Sequence, residues 1–195
     1  MDTSPSAVIS LARETLADPR ATARRIMSVD LPIAVRWQAL ALVVILSVLI
    51  GQVAAWLMLG EAAVTGMMAG PIQSGMVQGG ALVMMVFAAH RVGSMMGGSG
   101  SFEDALILIT WLQAIMILVQ LVQVVALVVL PPLAGIFSIM GVVLFLWLLT
   151  NFVAELHGFE SLGRVFGMII VTAIGLAFIA ATVLSILGVA PPEVG

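Results

Sequence analysis

Long apolar runs broken by short polar segments set the pattern of this chain. Between Gln38 and Ala190 the only charged residues are Glu61, Arg91, Glu103, Asp104, Glu155, Glu160 and Arg164. Each run between them can be set against the ~20 residues that an α-helix needs to cross a bilayer. The pattern predicts five spans, at about 37–60, 72–89, 105–130, 133–155 and 165–189. Arg36 and Trp37 flank the first at one interface and Trp56 lies near the other, an aromatic-belt arrangement. The second span is short and glycine-rich, with Gly75 and Gly79 forming a small-xxx-small ridge for close helix packing. The third is long enough to tilt. Pro131-Pro132 ends it, and the fourth begins almost at once, so these two must form an antiparallel hairpin. The fifth ends at Pro191-Pro192, leaving a tail at 191–195.

The connecting segments have their own signals. Glu61 to Ser74, with Gly66, Gly70 and Pro71, is too short to cross and reads as a loop or shallow re-entrant turn. Arg91 to Asp104 reads as a loop made flexible by Gly93, Gly97, Gly98 and Gly100, with Ser101-Phe-Glu-Asp as an acidic helix start. Phe102-Glu103 before the third span echoes Phe159-Glu160 before the fifth, which suggests either duplicated hairpins or a coincidence of apolar composition.

Residues 1–36 form a separate arm holding five of the seven arginines. Two short helices are expected there, one opening at Ser4-Pro5 and one capped by Asp18 with Pro19 at its first position. Both are expected on the membrane surface, with Arg20, Arg24 and Arg25 facing headgroups while Ile26 and Met27 dip toward the acyl chains.

Composition agrees with a lipid-solvated fold. The chain is 62% hydrophobic and 9% charged, far below the roughly 25% charge of a soluble domain. With the N-terminus in the cytoplasm, all seven arginines fall on the inside, in residues 1–36, 91–104 and 155–164, as the positive-inside rule demands. The C-terminus is then extracytoplasmic. No cleavable signal peptide is expected, because the first 35 residues lack a short apolar core. Cysteine is absent, which removes disulfides and thiolate chemistry. Lysine and tyrosine are absent too, and Asn151 is the only asparagine, a usage that points to a GC-rich bacterial genome and hence to a bacterial cytoplasmic membrane. The fold class is therefore an all-α polytopic membrane protein, with short interfacial helices ahead of five transmembrane helices.

Candidate chemistry is sparse. His90 and His157 fall at the predicted cytoplasmic span ends beside Glu103, Asp104, Glu155 and Glu160. His157, Glu160 and His90 could in principle meet a metal, but the spacing is not that of a zincin, and no metal or cofactor is expected. The more natural reading is a structural ion-pair cluster, with Arg91 and Arg164 holding the helix ends together. Gln113, Gln120 and Gln123 lie within about 80° of arc on the third span and should face the bundle. Gln52, Gln78, Thr150, Asn151 and Thr172 could also bond across helices. The pairs Met67-Met68, Met84-Met85 and Met95-Met96 read as gap-fillers rather than copper ligands. No G-x-S-x-G, H-E-x-x-H, Walker or dinucleotide motif is present, and no charge sits near the middle of a span, so the reading is not an enzyme and not a transporter with an acidic relay. Gly163 and Gly167, with Gly175 further along, offer a ridge for another helix, within the chain or in a second copy.

Three anchors carry a family resemblance. Asp18-Pro-Arg20 with Thr22 and Arg24-Arg25-Ile26, then Gly98-Ser-Gly-Ser-Phe102, then Trp147 with Glu155-Leu-His157-Gly-Phe159 and Gly163-Arg164, resemble bacterial members of the Yip family over about Leu16 to Leu187. That family comprises five-span proteins named for binding Ypt and Rab GTPases. Its eukaryotic members carry an Asp-Leu-Tyr-Gly-Pro type start that is missing here, so GTPase binding does not carry over. For bacterial members the resemblance implies architecture much more than activity; taken with the absence of catalytic motifs, it leads to a non-enzymatic membrane scaffold or adaptor with membrane lipids and a protein partner or second copy as its company, and no nucleic acid. Arg20, Arg24, Arg25 and Arg36, or the glycine ridges, are the candidate partner surfaces. A passive lipid or small-solute conduit along the glutamine stripe is the alternative.

Overall fold

The computed structural model describes residues 5–60 and 70–186. Every regular element among them is helical: α1 (Pro5–Ala17), α2 (Pro19–Met27), α3 (Ile33–Leu59), α4 (Pro71–Met95), α5 (Phe102–Val129), α6 (Ala134–His157) and α7 (Leu162–Ile186), with a 3-10 turn at Pro131–Leu133 before α6. Helices α3 to α7 are each long and apolar enough to cross a membrane. The expected loop or re-entrant turn after Glu61, with Gly66 and Met67-Met68, lies mostly outside the described residues.

Local signals explain the helix starts. The Asp18 side chain accepts a hydrogen bond from the Ala21 backbone N–H at 2.9 Å, and Pro19 occupies the first turn, where no intrahelical N–H partner is needed. Ser101 caps α5 in the same way, accepting from the Asp104 N–H at 3.0 Å, with Glu103 and Asp104 at the positive end of the helix dipole. Helix α3 begins at Ile33, just after Pro32, rather than at Trp37. Helix α4 runs on to Met95, beyond His90 and Arg91, so the first part of the expected 91–104 loop is helix.

Helix α5 is the central element, packed against α3, α4 and α6 and touched by α2, while α6 carries α7 on its other side. Burial is concentrated toward one end of this bundle, where Leu106, Ile109 and Leu112 of α5 meet Leu148 and Phe152 of α6. At the opposite end Val125, Val128, Ile139, Met140 and Val143 are all more than half exposed. Apolar exposure on that scale needs lipid as its solvent.

The arm is not a free surface layer. Thr15 is fully buried, its hydroxyl accepting from the Trp111 indole N–H of α5 at 3.1 Å while donating to Leu11 O at 2.7 Å. Ala23 and Ile26 join the bundle core instead of dipping into acyl chains. The expectation that Ile26 dips toward acyl chains is thereby corrected: the apolar face of α2 packs on α5 and α6.

Candidate functional site

The arm, the α4–α5 connection and the α6–α7 connection meet at the well-packed end of the bundle, and their polar residues interlock. Glu155, in the last turn of α6, accepts from Nε of Arg20 at 2.8 Å and from Arg24 at 2.9 Å, one carboxylate oxygen to each guanidinium. Arg20 also donates to Phe159 O at 3.1 Å. Hydrogen bonding to Glu155 and its negative charge raise the Arg24 guanidinium above its ordinary value. Arg25 pairs with Glu14 within the arm, at 2.6 Å. Arg36, only 5% exposed, donates to Glu103 O at 2.7 Å and to Leu31 O at 3.0 Å, and lies 3.6 Å from the Asp104 carboxylate. Arg36 is thus turned inward and Arg20 is about two-thirds covered, whereas the side chains of Arg24 and Arg25 stay more than half exposed. The ion pairs among the described residues use Arg20, Arg24, Arg25 and Arg36 and not Arg91 or Arg164, which are exposed. Among the described residues the ion pairs that reach the helix ends therefore come from the arm and from Arg36 of α3.

Beside the clamp sits a buried histidine. Nδ1 of His157 accepts from the Gly100 N–H at 3.2 Å, while Nε2 lies 2.9 Å from Ala89 O. A carbonyl can only accept, so the ring carries its proton on Nε2 and is neutral. The same Gly100 residue accepts at its carbonyl from Nδ1 of His90, at 3.1 Å. A Cβ on Gly93 or Gly98 would collide with the His157 ring, and one on Gly100 would lie 2.6 Å from Leu156 O. The glycines therefore serve close approach rather than flexibility, with Gly97, at φ +90°, as the one among them that needs a left-handed turn. Phe159 stacks on His157 with ring centroids 5.6 Å apart, and Phe102 meets His90 edge-on at 6.0 Å. Phe102 opens α5 whereas Phe159 precedes α7, so the two echoed phenylalanines are not equivalent positions. Both nitrogens of His157 are engaged by the backbone, and among the described residues no three His, Asp or Glu side chains converge as metal ligands, Glu160 included.

Of the glutamine stripe, Gln120 and Gln123 bond to neighbouring helices. Ser47 of α3, unnoticed in the sequence, is its hub: the hydroxyl donates to Gln120 Oε1 at 3.0 Å and accepts from Gln78 Nε2 at 2.8 Å, and its carbonyl accepts from Gln120 Nε2 at 3.1 Å. Gln123 donates to Phe137 O at 3.1 Å, and Gln52 to Ser74 Oγ at 3.2 Å. The signal for Ser47 was a lone hydroxyl in the middle of an apolar span. Thr150 and Asn151 turn back to their own helix, bonding Leu146 O and Trp147 O. Of the glycine ridges, Gly79 packs near Val44 at 3.8 Å, whereas Gly75, Gly163, Gly167 and Gly175 have open space beside them.

Five helices of spanning length, a docked arm and a lipid-demanding exterior define a multi-pass membrane protein. The profile of the Yip1 domain matches residues 13–182, and the chain belongs to the Yip family. The match takes in the clamp, the histidine and all three anchors that resembled the family. Searches of curated proteins and of solved structures return no match.

Proposed function

We propose that this protein is a non-enzymatic scaffold or adaptor of a bacterial cytoplasmic membrane, oriented with its arginine-bearing end in the cytoplasm, that holds a partner membrane protein by a lateral helix contact through α7. The observation that carries this reading is the state of α7: it packs chiefly on α6, and Gly163, Gly167 and Gly175 present open space where a second helix could approach its backbone. The arm is a weaker partner surface than its arginine content suggests, since Arg20 and Arg36 spend their hydrogen bonds within the chain and Arg24 is paired with Glu155. The bundle's dense packing around Leu106, Ile109 and Leu148 leaves little room for a continuous polar path and disfavours the conduit.

Site-specific photocrosslinking in cells tests the proposal, with the reactive residue at Phe166, Val171 or Ile174 of α7 and, as a control, at Ile45 of α3. One discrete protein adduct from the α7 positions, lost in Gly167→Leu, is the expected result. Adducts to lipid alone at every α7 position would refute the scaffold reading.

A further inference from the structure

The half of the bundle remote from the arginines holds a cavity of about 550 Å³ between α3, α4 and α5, with Ser47, Gln52, Gln78, Gln113, Gln120 and Gln123 in its wall. Inside a bilayer an unsatisfied amide costs several kcal/mol, so polar groups there are paired or wet. The internal network leaves part of this wall unspent. Gln113 makes no hydrogen bond among the described residues, and Gln52, Gln78 and Gln123 each engage only Nε2, leaving carbonyl oxygens for an occupant. Among the described residues no ionisable side chain lines the cavity. A charged group would be desolvated there without a counter-ion, whereas a hydroxyl, which both donates and accepts, matches free amides.

The surroundings are apolar on both sides. A groove of about 550 Å³ along α3 and α4, from Trp37 to Val83, shares Val48 with the cavity, and a smaller cleft between α5 and α6 shares Met116 and Gln123. A polar chamber flanked by lipid-facing grooves fits an amphiphile, head in the chamber and chain in a groove. We infer that this cavity binds the neutral, hydroxyl-bearing headgroup of a membrane lipid of the diacylglycerol type.

The test places the full chain in phosphatidylcholine nanodiscs doped with a photoreactive diacylglycerol. Saturable labelling of α3 and α5 around the cavity is expected, competed by unlabelled diacylglycerol and not by free glycerol. Gln113→Leu removes no internal bond, so the chain should fold as before while labelling weakens about 3- to 30-fold, the range of one interhelical hydrogen bond. Gln113→Glu, which keeps the size and adds a charge, should weaken it as well, and Met84→Leu in a separate groove should not. The inference is overturned by unsaturable labelling, by competition from free glycerol, by equal labelling with a photoreactive phosphatidylglycerol, or by both Gln113 variants labelling like the parent.

Discussion

The imidazole of His157 and the backbone of Gly100 are joined by a hydrogen bond of 3.2 Å that spans 57 residues of sequence, and it locks the start of α5 to the end of α6. The lock is tight because Gly93, Gly98 and Gly100 have no side chain where the ring and Leu156 lie.

A methyl group in this cradle should therefore be costly. Gly100→Ala places a Cβ 2.6 Å from Leu156 O, a backbone atom that cannot swing away, and overpacking of this kind costs about 1–3 kcal/mol. Gly163→Ala or Gly167→Ala meets nothing within 4 Å in the single chain and should melt at or slightly above the parent temperature. Thermal unfolding in mild detergent makes the comparison. Equal melting temperatures for the two sets would mean that the cradle is looser than described.

The same contrast marks what can be read from sequence alone. Span length and helix caps are local properties, so the five apolar runs and the Asp18-Pro19 start are legible without a structure. Arg20 meets Glu155 across 135 residues, and nothing in the spacing of either announces the other. The glycines of 93–100 look like a flexible loop because composition does not reveal a ring packed against them. The covering of the apolar face of α2 is illegible for a related reason: amphipathicity fixes that one face is apolar, but not that α6 will cover it.

Releasing the arm should follow the order of its bonds to Glu155. Arg20 has two partners, Glu155 and Phe159 O, and a side chain about one-third exposed, whereas Arg24 has Glu155 alone and is more than half exposed. Arg20→Gln should then speed limited tryptic cleavage within the arm, at Arg13 or Arg25, by about tenfold or more, the effect of losing charge-assisted hydrogen bonds to Glu155 and Phe159 O. Arg24→Gln should have a smaller effect because solvent already screens it. Glu155→Gln should match or exceed Arg20→Gln. Cleavage rates in the reverse order would contradict the geometry.

Arg36 should resist even its conservative replacement. Its guanidinium reaches Glu103 O, Leu31 O and Asp104 from one fixed plane, at 5% exposure. An ammonium is a point charge on a flexible stem and cannot reproduce that fork, so Arg36→Lys should lose about 1–3 kcal/mol and Arg36→Met at least as much. Detergent melts or chemical unfolding would measure both. A lysine variant as stable as the parent would show that charge alone, and not the fork, is required.

The contact between Thr15 and Trp111 gives the most direct reading of whether α1 is part of the folded bundle. The indole N–H donates to the buried hydroxyl at 3.1 Å, so Thr15→Val keeps the shape of the side chain and strands the donor, while Trp111→Phe leaves the hydroxyl its bond to Leu11 O alone. Thr15→Val should lose about 1 kcal/mol or more, since a polar group left without a partner bears its desolvation cost, and Trp111→Phe should lose less through this hydrogen bond because the hydroxyl stays bonded to Leu11 O. The double variant removes both partners and should be less destabilised than the sum, with a coupling of roughly 0.5–1.5 kcal/mol in a double-mutant cycle. Strict additivity would mean that α1 does not hold Thr15 against α5 in the membrane, and the docked arm would then reduce to α2 and its clamp on Glu155.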